Sequence, residues 1–156
     1  MPPKGSTKKS LNLFSPSEPH TNQKVVLDSL DSGQRWVLLR AGRKFRKTSL
    51  MVSWLMESAI SKGLTCPFIA PNRLQGKNIV WDDHVSRILN HFKEIGFPYK
   101  VNETELSIDL PSIDTGVPVF KGGKFQIHGV ENKEALRGIS NWGAIGMDEY
   151  DNWDED

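Results

Sequence analysis

A short apolar run, Trp36-Val37-Leu38-Leu39, passes without a break into the basic stretch Arg40-Ala41-Gly42-Arg43-Lys44-Phe45-Arg46-Lys47-Thr48. Leu50, Met51, Trp54, Leu55 and Ala59 then repeat at helical spacing as far as Gly63, a helix stop. A continuous apolar run is what a strand buried on both faces of a parallel sheet shows. A helix directly after it has to pack back onto that sheet, so the segment predicts the strand, loop and helix of an α/β domain. The rest of the chain fits that frame. A short amphipathic helix begins near Gln23, with Val25, Val26, Leu27 and Leu30 on or near one face, and ends at Asp31-Ser32-Gly33. Thr65–Ala70 reads as a second buried strand, closed by Pro71-Asn72, and residues 74–95 as a long helix broken by Gly96-Phe97-Pro98. Glu105–Leu110 and Lys124–Val130 alternate apolar and polar residues, as paired half-exposed strands do, and the turn-rich stretch 111–123 links them. Residues 131–138 suggest a short helix and turn, and Gly143–Met147 a third buried run ending in Asp148-Glu149. The expectation is an α/β fold with a mostly parallel central sheet flanked by helices plus a β-hairpin.

The chain has 156 residues, the size of one domain. Residues 1–18, rich in Pro, Ser and Lys, read as a flexible basic tail, which leaves 19–156 for the folded part. No apolar run approaches the roughly 20 residues of a membrane span, and the first twenty residues lack a secretory signal's apolar core. The single cysteine, Cys66, excludes an internal disulfide framework and fits a reducing compartment. Charge is unevenly spread: residues 1–80 carry 13 Lys/Arg against 4 Asp/Glu, and residues 81–156 carry 7 against 15. A basic first half suits a polyanion such as nucleotide phosphate or nucleic acid, unless the two halves interleave in the fold and cancel.

The chemistry concentrates in residues 41–48. A phosphate-binding loop, G-x-x-x-x-G-K-[ST] between strand and helix, wraps phosphates in backbone N–H groups at a positive helix end. Lys47-Thr48 supplies the end of that pattern, the lysine for the β/γ-phosphates and the hydroxyl for Mg²⁺, while Ala41 and Arg46 stand at the two glycine positions. Ala144-Ile145-Gly146-Met147-Asp148-Glu149 supplies the second part, an apolar strand ending in an acidic pair. There Asp148 would hold Mg²⁺ and Glu149 would orient and polarise the attacking water. The alternatives are a basic surface turn and two solvated carboxylates.

On these residues the chain resembles the N-terminal ATPase domain of a tailed-phage terminase large subunit over about residues 19–153. Pro19-His20-Thr21-Asn22-Gln23 is similar to that family's segment ahead of the loop, whose glutamine reads adenine. Residues 40–48 resemble its altered phosphate loop, in which the first glycine is commonly replaced. Ile69-Ala70-Pro71, Gln75-Gly76-Lys77 and Trp81 resemble the strand and helix after it, and Leu136-Arg137-Gly138 ahead of Gly143–Tyr150 is the most specific match. The resemblance implies ATP and Mg²⁺ as cofactors, with ATP on Gln23, Ala41, Gly42, Arg43, Lys44, Phe45, Arg46, Lys47 and Thr48, and metal on Thr48 and Asp148. It makes Glu149 catalytic, Arg43 a γ-phosphate arginine and Arg137 an arginine finger, although Arg137 can instead pair with Glu134 and Gln23 can face solvent. It further implies duplex DNA, a portal protein, a small terminase subunit and further copies of the chain in a ring as partners, all in the host cytoplasm. The family's nuclease domain and the segment coupling hydrolysis to movement have no counterpart in these residues. The chain therefore reads as a partial ATPase domain, truncated after the acidic strand, or as one whose missing layer a partner supplies. A helicase-like nucleic-acid ATPase and a non-hydrolysing module that binds DNA or partner subunits are the other readings.

His20, His84, His91 and His128 lack metal-ligand spacing and read as surface or half-buried residues, with His20 placed to touch nucleotide beside Gln23. Cys66 reads as a small core residue, and Trp36, Trp54 and Trp81 as core rather than base-stacking residues. Lys121-Gly122-Gly123-Lys124 reads as a solvated hairpin turn.

Overall fold

The computed structural model describes residues 19–114 and 119–148. Helix α1 spans Thr21–Asp31 and α2 spans Lys47–Lys62. Strand β1 is Thr65–Ala70, followed by the short helix α3 at Arg73–Gln75, a π-helical stretch over Gly76–Val85, and α4 over Ser86–Ile95. Three strands follow, β2 at Lys100–Asn102, β3 at Ser107–Asp114 and β4 at Val119–Gly129. Helix α5 at Lys133–Arg137 and the two-residue strand β5 at Gly146–Met147 complete the described part.

The five strands lie in the order β2-β3-β4-β1-β5. Strand β1 is parallel to β4 and to β5, whereas β3 is antiparallel to both β2 and β4. The fold is α/β, but its sheet is mixed, which corrects the expected mostly parallel one. Two particulars account for this. The hairpin is longer than the alternation alone suggests: β3 runs on to Asp114 and β4 begins at Val119. Lys121–Lys124 therefore lies inside β4 and not in a turn. The run Trp36–Leu39, moreover, is not a strand. Residues 36–42 are irregular, with Trp36 81% and Leu38 77% exposed, and Leu39 and Ala41 half-buried. An apolar run becomes a strand only through a ladder partner, and among the described residues it has none. Trp36 is accordingly a surface residue, whereas Trp54 packs on the core and Trp81 is buried.

The core lies on one face of the sheet. Cys66, Phe68 and Ala70 of β1 pair in register with Phe125, Ile127 and Gly129 of β4, and Ile108 of β3 pairs with Phe125. Onto them pack Val52, Leu55, Met56 and Ala59 of α2, Val80, Trp81 and Val85 of the π-helical stretch, and Ile88 and Phe92 of α4. Burial pushes the Cys66 thiol up to about 11, so it stays protonated, as a core thiol should. Gly76 allows the π-helical stretch to approach the sheet: a Cβ there would come within 2.8 Å of Ile127 Cγ2. Among the described residues no helix is long and apolar enough to cross a membrane.

Candidate functional site

Residues 41–48 lead into α2 through an irregular segment and one 3₁₀ turn, Arg43–Phe45, closed by Phe45 N–H donating to Gly42 O at 3.0 Å. Arg46 follows in the left-handed region, φ 60° and ψ 46°, and Lys47 opens the helix. The glycine position of the phosphate-loop pattern is thus one where the backbone takes a conformation that glycine adopts without strain. Arg46 places no side-chain cap on α2, whose first intrahelical bond runs from Leu50 N–H to Arg46 O at 3.1 Å. The N–H groups of the first turn accordingly carry the helix's positive end. Lys44 and Arg46 are exposed and Lys47 is half-buried.

The contact that matters most spans the chain. Thr48 Oγ1 donates to Asp148 Oδ2 at 2.7 Å, joining residues 100 apart in sequence. Asp148 comes directly after β5, where its N–H donates to Ile69 O at 3.2 Å and so holds it at the C-terminal end of β1. Hydroxyl and carboxylate oxygens are the donors a hard cation takes, and adjacent ligands of octahedral Mg²⁺ lie about 3 Å apart. The pair therefore fits one edge of a Mg²⁺ coordination shell. Among the described residues no three His, Cys, Asp or Glu side chains gather into a metal site. Water and phosphate oxygens would supply the remaining ligands, the ordinary arrangement for this ion at nucleotide sites.

Two further contacts brace the loop. Gln23 is buried in α1, and its Nε2 donates to Phe45 O at 2.8 Å while its Oε1 accepts from His20 N–H at 3.1 Å. His20 caps α1 in return, accepting from Gln23 N–H, and its ring meets Phe45 edge-on at 5.1 Å. Gln23 thus ties α1 to the 3₁₀ turn. On the other side Ser49 Oγ and His84 Nδ1 lie 2.8 Å apart. Burial lowers the His84 pKa and nearby Arg87 lowers it further, partly offset by the Asp83 and Asp148 carboxylates, which favours the neutral ring. Histidine spacing gave no signal for this role, which exists only once the π-helical stretch lies beside α2.

The other expected site residues are less convergent. Arg43 takes part in the 3₁₀ turn through its backbone, and Ala41 and Gly42 line the approach to it. Arg137 lies on exposed α5 and pairs with Glu134 at 3.1 Å, the local alternative to an arginine finger; both side chains are mostly in solvent, where such a pair adds little. Glu149 falls outside the described residues. The cavity of about 410 Å³ beside Thr65, Lys124, Gln126 and Asn141 sits at the N-terminal end of β1, away from Thr48 and Asp148. Compared with known proteins, the chain matches no family model, no curated protein and no solved structure.

Proposed function

We propose that the chain is a phosphate-loop ATPase domain of the viral terminase kind, which in the whole assembly hydrolyses ATP to drive duplex DNA into a procapsid. The observation that carries this reading is the hydrogen bond between Thr48 and Asp148. Two short motifs, each weak alone, meet at the one pair of oxygens that must share a metal in such an enzyme. Lys47 would hold the β/γ-phosphates, the N–H groups of the first turn of α2 would receive phosphate oxygens, and Thr48 and Asp148 would hold Mg²⁺. When bound, that ion neutralises charge developing on the phosphate oxygens. Glu149 is the base of this reading, and Arg43 and Arg137 are its phosphate-facing arginines. Gln23 would read adenine by exchanging its bond to Phe45 O for one to the base. Duplex DNA, a portal protein, a small terminase subunit and a homo-oligomeric ring in the host cytoplasm complete the proposal. The partners follow from the resemblance described above.

Titration of the full chain with Mg²⁺-ATP beside Lys47→Ala tests it. Saturable binding that Lys47→Ala abolishes is expected; a folded wild-type chain that takes up no ATP overturns it. One observation favours a second reading, a non-hydrolysing nucleic-acid module: Trp36 is 81% exposed, with the Arg35 guanidinium 6.0 Å from its ring centre. Exposed aromatic and cationic groups together suit stacking and phosphate contact. DNA binding with a steep salt dependence and no response to nucleotide would favour that reading.

A further inference from the structure

The first turn of α2 is held through consecutive side chains from two directions. Thr48 is bonded to Asp148 beyond β5 at 2.7 Å, and Ser49 to His84 of the π-helical stretch at 2.8 Å. On its N-terminal side Arg46 is left-handed and contributes no side-chain cap. His84 is itself well fixed. Val85 is fully buried, Trp81 is 5% exposed, and Ser86 Oγ donates to Trp81 O at 3.1 Å, satisfying a carbonyl within the wider turns. A π-helical turn takes one residue more than an α turn, so the stretch Gly76–Val85 presents side chains in directions a regular helix would not. Such turns are uncommon and recur beside functional sites. Here the π-helical stretch carries His84 to the residue next to Thr48.

We propose that His84 is a positioning residue for the phosphate loop: its Nδ1 hydrogen bond with Ser49 sets the first turn of α2, and thereby aims the Thr48 hydroxyl at the metal position. The proposal rests on the ATPase reading above. It assigns His84 no contact with substrate and no proton to move. Its effect is confined to the metal-dependent part of nucleotide binding, because the backbone N–H groups and Lys47 can receive phosphate whether or not Thr48 is aimed.

Calorimetric titration of the full chain with ATP, with and without Mg²⁺, separates these contributions. His84→Ala is expected to weaken Mg²⁺-ATP binding about five- to tenfold, the worth of one hydrogen bond, and metal-free ATP binding less than about twofold. His84→Asn, whose amide reaches the position of imidazole Nδ1, is expected to restore near wild-type affinity. Ser49→Ala removes the same bond from the other side, carries the same expectation should His84→Ala fail to fold, and is not additive with His84→Ala. Unchanged Mg²⁺-ATP affinity in His84→Ala, equal losses with and without Mg²⁺, or failure of His84→Asn to restore binding each overturns the proposal. A wild-type chain that binds no nucleotide overturns the ATPase reading and the role of His84 with it. Binding that is abolished by Lys47→Ala but indifferent to His84 removes His84 alone.

Discussion

Arg46 stands where the phosphate-loop pattern has glycine, and its backbone has kept the glycine conformation at φ 60°. A side chain in that region costs about 1–2 kcal/mol, part of which returns through the lower entropy of the unfolded chain compared with glycine. Arg46→Gly is therefore expected to raise stability by up to about 1 kcal/mol, read as an increase in the urea midpoint at constant slope. A decrease would mean that the Arg46 side chain holds the loop by contacts that outweigh its strain. The same residue shows what sequence can disclose at this scale. The meeting of Thr48 with Asp148 was legible because the types and order of the two residues fit one pattern, whatever else surrounds them. Neither the bond of Gln23 to Phe45 nor that of Ser49 to His84 was. Each joins residues far apart in sequence through groups that many residue types could supply, so only the packing selects them.

Helix α2 was legible as an element because its apolar residues keep one helical face, and β1 because its buried run lies between turn residues. Trp36–Leu39 carries the same apolar signal as β1 and nevertheless forms no strand, since the ladder that makes a strand belongs to two segments at once. The π-helical stretch was equally hidden: residues 74–95 show helical periodicity, which does not distinguish the wider turns over Gly76–Val85, where Gly76 packs closely on Ile127. How tightly elements approach can be tested at Gly123 of β4. A Cβ there would run into the Ala59 carbonyl of α2 and come within 2.7 Å of Leu64 O, both backbone groups that cannot swing aside. Gly123→Ala is expected to lower stability by about 1–3 kcal/mol through overpacking. Gly42→Ala, where no neighbour lies within 4 Å, is the matched control and should shift stability by less than about 0.5 kcal/mol. Equal effects at the two positions would show that α2 and β4 are less closely packed than described.

Across the molecule, the basic and acidic halves of the sequence interleave. Strand β1, from the basic half, lies between β4 and β5 of the acidic half, and Thr48 meets Asp148 across the same divide. The charge asymmetry of the linear chain is thus partly internal to the fold, which weakens it as an argument for a polyanionic partner and leaves the loop geometry as the better one. One consequence for stability comes from His128 on β4. It is 4% exposed, and among the described residues neither ring nitrogen has a hydrogen-bond partner. Burial lowers its pKa, and the nearby Arg73 lowers it further, so the folded chain resists taking up a proton that the unfolded chain accepts near pH 6.5. For a histidine with a lowered folded-state pKa, the contribution is fully present above about pH 6.5 and is lost as pH falls from there toward the folded value. His84 is lowered for the same first reason and adds in the same direction. The urea midpoint of the wild-type chain is therefore expected to drop between about pH 7.5 and 5.5, above the range where most carboxylates titrate. His128→Leu keeps an apolar side chain in the site and removes the ring nitrogens that lack partners. It should leave stability at pH 7.5 equal or higher, and make the drop toward pH 5.5 smaller, with the remainder due to His84. An undiminished drop in His128→Leu would mean that the acid sensitivity arises elsewhere and that His128 reaches water more readily than its burial implies.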